Sequence, residues 1–179
     1  MTLKMPVKAL AVRHAARKHD PARAHLDTVY RDADGSYIST DGHMLLHAQV
    51  ADSAPGEAAI VERETVEAEL KVAKARKAET VEVADPEWVK PEQFPQWRTA
   101  MGTPGEGDYA SGVTVEIDGR LLERVIKAAA EFRGRKGRDP INLRFHFAKK
   151  RAYVKPIIIE AYSDTDPDKL TALVMPIVP

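Results

Sequence analysis

Cysteine is absent from the chain. Its absence removes disulfides and thiolate metal sites, and it is compatible with a reducing compartment. Long apolar runs are missing too. No stretch approaches membrane-spanning length, and the opening MTLKMPVKAL lacks the apolar centre of a signal peptide. A cytoplasmic location is the expectation. Neither sign of charge is in excess, because 27 Lys and Arg balance 27 Asp and Glu. Net charge therefore carries no preference for nucleic acid, and only its distribution can. No Gly-rich phosphate loop and no Gly-Lys-Ser/Thr occurs, and nothing groups Ser, His and Asp as a nucleophile with its base. The expectation is a protein that is not an enzyme and uses no cofactor. His43 and His47 share a strand face but have no carboxylate set beside them. Asp164, Asp166 and Asp168 alternate in a loop without the ligand number or ordered glycine of a calcium site. No metal is expected.

What is present belongs to a globular protein. Hydrophobic residues make up 44% of the 179 and charged residues 30%, enough interior for one large domain or two small ones. The chain is organised around residues 37–49, YISTDGHMLLHAQ. Tyr37, Ile38, Ser39 and Thr40 are β-prone, and Met44, Leu45, Leu46 and Ala48 resume an apolar run. Asp41-Gly42 between them takes positive φ readily, so a narrow hairpin turn is expected. His43 and Met44 should leave that turn at the surface, placing a little apolar area beside hydrogen-bonding groups.

The flanking segments read as alternating strands and helices. A strand over residues 2–5 closes at Pro6, and a helix is expected over residues 7–18, with Val7, Leu10, Ala11 and His14 on one face. Strands follow at 26–31, 58–62 and 80–83, with a helix over 64–78 that buries Val66, Leu70 and Ala73. Residues 85–108 are rich in Pro and Gly and read as a linker or surface strap. They also carry Trp88, Phe94 and Trp97, so part of the strap should pack on the body. Beyond a strand at 113–117, Asp118 is a plausible N-cap for a helix over Gly119–Phe132. Strands are expected at 141–147, 151–155, 157–162 and 170–178. The pattern is α+β, with repeated β-α-β-β-β units and helices on one face of antiparallel sheets. Two units are expected, over 1–104 and 105–179, either separate or fused as one compact domain.

The order of four short segments resembles the bacterial DNA polymerase III β subunit family, the sliding clamps. They are Thr40-Asp41-Gly42-His43-Met44-Leu45; Ala59-Ile60-Val61-Glu62 ahead of a helix; Phe94-Pro95-Gln96-Trp97-Arg98; and Val174-Met175-Pro176-Ile177 near the end. The resemblance covers the family's middle and last domains, each shortened. It departs from the family at Met44, where Arg is usual after the His, and in lacking a terminal Arg-Leu.

The resemblance implies a DNA-clamp-like fold and a processivity factor of DNA replication. It implies a hydrophobic pocket that takes short linear motifs of polymerases and other replication or repair proteins. Carried over by position, that pocket uses Leu26, Thr40, Gly42, His43, Met44, Leu45, Pro95, Ala100, Val174, Met175, Pro176 and Ile177. It also implies sequence-independent contact with duplex DNA through helices lining a hole. Arg120, Arg124 and Lys127 suit phosphate contact, with Lys8, Arg13 and Arg17, and the loop Arg133, Arg135, Lys136 and Arg138 could reach the backbone as well. A ring at this length needs a homo-oligomer. The alternatives are a peptide-binding module that does not encircle DNA, a decoy or regulator of true clamps, and an interaction protein that borrowed the fold.

Overall fold

The computed structural model describes residues 2–16, 26–90, 94, 97–98, 117–134, 143–146, 156–161 and 167–176. The expected strand at 151–155 and residues 113–116 of the one expected at 113–117 lie outside these residues.

The hairpin at the centre forms as its sequence dictates. Strands β3 (Tyr37–Thr40) and β4 (Met44–Gln49) pair antiparallel, with Thr40 opposite Leu45 and Tyr37 opposite Ala48. On one side β3 pairs with β2 (Thr28–Arg31), which pairs with β5 (Ala59–Glu62), and the short β7 (Glu87–Trp88) closes that edge. On the other side β4 pairs with β10 (Lys169–Val174), followed by β9 (Ile157–Ala161) and β8 (Leu143–His146). Among the described residues the result is one eight-stranded antiparallel sheet in the order β7-β5-β2-β3-β4-β10-β9-β8. The pairing of β4 with β10 joins the N-terminal and C-terminal thirds of the chain. Strands β1 (Thr2–Pro6) and β6 (Thr80–Ala84) form a separate two-stranded sheet.

Among the described residues, three helical segments cover one face. Helix α1 (Arg63–Arg76) buries Val66, Leu70 and Ala73, the face its spacing predicts. Helix α2 (Gly119–Phe132) buries Val125, Ala128, Ala129 and Phe132, and the Asp118 carboxylate accepts from the Arg120 amide at 2.9 Å. The cap satisfies an amide the helix leaves without a partner. The third segment corrects an expectation. Lys8–Ala15 is a 3-10 helix, not an α-helix, and it buries Ala9, Leu10, Ala11, Val12 and Ala15. Apolar residues at four consecutive positions surround the axis, so no single 3.6-residue face is favoured. This segment lies deep in the core, against α2 and the β3–β4 hairpin.

Strand alternation builds two cores. Met44, Leu46, Ala48, Ala172 and Val174 meet the helices. Tyr30, Ile38, Leu45, Ile60 and Leu173 point the other way and are covered by Phe94 and Trp97 of the strap. Phe94 stacks on Tyr30 with centroids 4.3 Å apart and planes 4° from parallel. Part of the Pro-rich stretch therefore packs on the body, as its aromatics imply, while Trp88 stays partly exposed.

Asp32 to Gly35 is the β2–β3 turn. Gly35 has φ +87°, and a Cβ there would lie 2.6 Å from the Ser53 carbonyl oxygen and 2.8 Å from that of Ala54. Neither neighbour is a flexible side-chain tip. Gly35→Ala is expected to cost about 1–3 kcal/mol, read as a lower urea midpoint at unchanged slope.

Candidate functional site

The β3–β4 corner is built from its own side chains. Only Gly42 takes positive φ, at +88°, so the turn is not the mirror-image type that needs two left-handed residues. Asp41 works through its carboxylate instead. Its Oδ1 accepts from the His43 amide at 2.9 Å and the Met44 amide at 2.8 Å. The Thr40 hydroxyl donates to the Met44 carbonyl at 2.7 Å and accepts from the Gly42 amide at 3.1 Å. These bonds satisfy the corner's amides locally and fix its shape.

The last strand meets this corner. Val174 lies opposite Met44, and one residue on the Met175 amide donates to the His43 carbonyl at 3.0 Å. Leu26 closes in from the N-terminal side, its Cδ1 being 3.9 Å from where a Gly42 Cβ would stand. Gly42 and His43 are exposed, Met175 is 40% exposed, and Leu26 is half-buried. Segments more than 120 positions apart in the sequence thus frame a small apolar surface flanked by a ring nitrogen and backbone groups.

Several residues assigned to the pocket lie beneath that surface rather than in it. Met44 is 2% exposed and packs in the helix-side core, so the expectation that it leaves the turn at the surface is corrected. Leu45 points to the opposite face, under the strap. The cause is that both faces of this sheet are covered, so consecutive strand residues are both buried. Thr40, Val174 and Pro176 are buried. Pro95, Ala100 and Ile177 lie outside the described residues.

The cations assigned to DNA have intramolecular partners throughout the described residues. Lys8 pairs with Asp168, whose carboxyl is held below its ordinary range; burial opposes that shift, and the Lys8 bond and the Ala51 amide outweigh it. Arg13 donates to Glu131 at 2.8 Å and to the Leu10 carbonyl. Arg124 donates to the His14 and Ala15 carbonyls and to Asp41. Arg133 donates to the Ala161 carbonyl at 2.9 Å. Arg120 pairs with Asp118 and Lys127 with Glu123, and both cations are well exposed. Arg17, Arg135, Lys136 and Arg138 lie outside the described residues. The expected row of phosphate-facing cations on α2 is therefore reduced at Arg124, which turns inward.

Two features escaped sequence reasoning. The first is a polar cluster under the strap. Trp97 Nε1 donates to Asp32 at 3.0 Å, Arg98 pairs with Asp32 and Asp34, and Arg98 lies over the Trp97 ring at 4.4 Å. His47 packs on Trp97 with centroids 4.6 Å apart. Burial pushes its pKa down to about 4, against the pull of Asp34 and, more weakly, of Asp32, with Arg98 adding to the depression. The second is a cleft of about 420 Å³ lined by Asp27, Glu62, Val83, Asp85 and Glu87, on the β5–β6 side of the molecule. No spacing in the sequence groups these residues.

The sequence matches no protein-family model and no curated protein. Solved structures do match. A DnaN sliding clamp, DNA polymerase III subunit beta, from Pseudomonas aeruginosa bound to griselimycin superposes with a TM-score of 0.61 at 14% identity, covering 99% of this chain and 65% of that one. A second structure of the Pseudomonas aeruginosa DNA polymerase III subunit beta gives 0.51 at 13% identity, covering 99% and 66%. The chain thus has the α+β fold of DNA sliding clamps and spans a little under two thirds of the length of those neighbours. At such identity the likeness establishes the fold. Among the described residues, no helix is long and apolar enough to cross a membrane.

Proposed function

We propose that this chain is a sliding-clamp-like binding protein of DNA replication, not an enzyme. In this reading it docks short apolar linear motifs of polymerases or repair proteins at the corner between β3–β4 and the end of β10. The observation that carries the reading is the bond from the Met175 amide to the His43 carbonyl. It joins two sequence segments that resemble the same family and leaves Met175 exposed beside Gly42 and Leu26. A thioether suits varied apolar partners, and Gly42 lets a partner's backbone approach. As an oligomer the chain encircles or flanks duplex DNA in the cytoplasm. Arg120 and Lys127, which stay exposed, with the expected contributions of Lys8, Arg17, Arg133, Arg135 and Lys136, supply sequence-independent phosphate contact; Arg13 and Arg124, held by internal acceptors, do not.

One observation favours a second reading, in which the chain keeps the docking site but forms no ring. Lys8, Arg13 and Arg124 are occupied by internal acceptors, which weakens the helical face as a phosphate surface. Light scattering separates the two readings: a ring-capable oligomer supports the first, a strict monomer the second.

Fluorescence anisotropy with a labelled clamp-motif peptide tests the docking site itself. Met175→Ala, at an exposed position, should leave the thermal midpoint unchanged and weaken the peptide about tenfold. A wild-type protein that ignores the peptide, or a Met175→Ala variant that binds it equally well, removes this function.

A further inference from the structure

We infer that Arg124 is a positioning residue of the docking corner, holding it in shape from α2. The inference rests on the corner being the docking site proposed above. Arg124 is 83 positions from Asp41 in sequence, and its side chain is 29% exposed. Its guanidinium meets three acceptors on two elements. Nε donates to the His14 carbonyl at 2.7 Å and Nη2 to the Ala15 carbonyl at 2.8 Å, while Nη1 donates to Asp41 Oδ2. His14 and Ala15 end the 3-10 helix, where carbonyls lack partners within the helix and carry negative partial charge. The fork is therefore anchored on backbone before it reaches the carboxylate.

Asp41 divides its two oxygens. Oδ2 faces Arg124, and Oδ1 accepts the amides of His43 and Met44. Fixing the first oxygen fixes the plane of the carboxylate, and with it the two amides that leave the turn. The same peptide chain then presents the His43 carbonyl to the Met175 amide. A continuous series of bonds runs from α2 through Arg124 and Asp41 to the exposed edge of the proposed site. Arg is suited to this position because its planar fork serves three acceptors at once, which a lysine ammonium on a flexible stem does not. Holding the corner in one shape before a partner arrives lowers the ordering cost of binding.

The test uses the full chain with Arg124→Lys and, separately, Asp41→Asn. The asparagine has one oxygen, so it serves either the two turn amides or Arg124 and not both. The primary readout is amide hydrogen exchange, followed by NMR at His43, Met44 and Met175. Each variant should speed exchange at these three amides about tenfold and leave Met5 and Val83 of the β1–β6 sheet unchanged. The labelled clamp-motif peptide should bind about tenfold more weakly to both. Ala73→Gly in α1 supplies a control that lowers stability away from the corner and should reproduce neither effect. Unchanged exchange at the three amides in both variants overturns the inference, as does equal loosening in Ala73→Gly. Failure of the wild type to bind peptide overturns the docking function alone, because the exchange data still decide whether Arg124 holds the corner.

Discussion

Glu131→Gln is expected to lower the unfolding free energy at pH 7 by about 3 kcal/mol, the scale for removing one member of a largely buried ionic cluster. Glu131, on α2, binds three side chains from the other two helical segments. Oε2 takes Arg13 at 2.8 Å and His14 at 2.9 Å, both on the 3-10 helix, and Oε1 takes Lys74 of α1 at 3.2 Å. The carboxylate side chain is 18% exposed and the Arg13 side chain 11%. Losing the charge leaves a nearly buried guanidinium without its counterion and unties the helical layer where its three members converge.

The pH dependence follows from the sign of the shift. Burial works against ionisation of Glu131, but the hydrogen bonds from His14 and Arg13 overrule it and hold the carboxyl well below the ordinary value of 4.5. A carboxyl depressed in the folded state stabilises the protein in full above 4.5, and its contribution drains away as pH falls below that value. Wild type should therefore lose stability steeply below pH 4.5, and Glu131→Gln should lose less over the same interval. Urea unfolding at pH 7 and at pH 3.5 measures both effects. A variant as stable as wild type at pH 7 would show that the cluster contributes nothing.

Trp97→Ala should cost about 3–5 kcal/mol, the range for truncating a large buried aromatic. Trp97 is 8% exposed and does three things at once. It covers the apolar face of Ile38, Leu45 and Leu173 with Phe94, donates to the buried Asp32 carboxylate, and seals His47 from water. The seal gives the experiment a second readout. His47 titrates at about 4 in the folded chain and at 6.5 when unfolded, so folding requires the neutral ring. Its influence is nil above pH 6.5. Stability then falls as pH drops from 6.5 toward 4, reaching a loss of about 3 kcal/mol. This window lies above that of Glu131, so the two groups separate along the pH axis. With Trp97 removed, water reaches the imidazole, its pKa climbs back toward 6.5, and the loss between pH 6.5 and 4 shrinks. NMR titration of the His47 ring in wild type and Trp97→Ala checks the shift directly, and an unmoved ring titration rejects the account of the seal.

Much of the fold is legible in local patterns because its elements carry their own signals. The β3–β4 hairpin announces itself through β-prone residues on either side of Asp41-Gly42. Helix α2 carries its cap at Asp118 and its apolar face at Val125, Ala129 and Phe132. The first helix misled because Ala9 to Val12 are apolar without a break, and such a run fixes burial but not the helix type. Met44 and Leu45 misled for a related reason. Alternation assigns them to opposite faces of a strand and says nothing about whether each face is covered. Arg124 misled because its place on α2 beside Arg120 and Lys127 suggests a cationic row, while its acceptors come from residues 14, 15 and 41.

By itself the sequence determined the absence of disulfides, the alternation of strands and amphipathic helices, the corner at Gly42, and the resemblance linking that corner to the last strand. Each depends on residue identity or on a period of a few positions. Only the tertiary structure decided which charges are occupied, which faces are roofed, and which apolar residues remain exposed. Apart from local pairs such as Arg120–Asp118 and Lys127–Glu123, those outcomes depend on contacts between residues 28 to 160 positions apart, and covering or pairing at that range has no local period that a sequence can display.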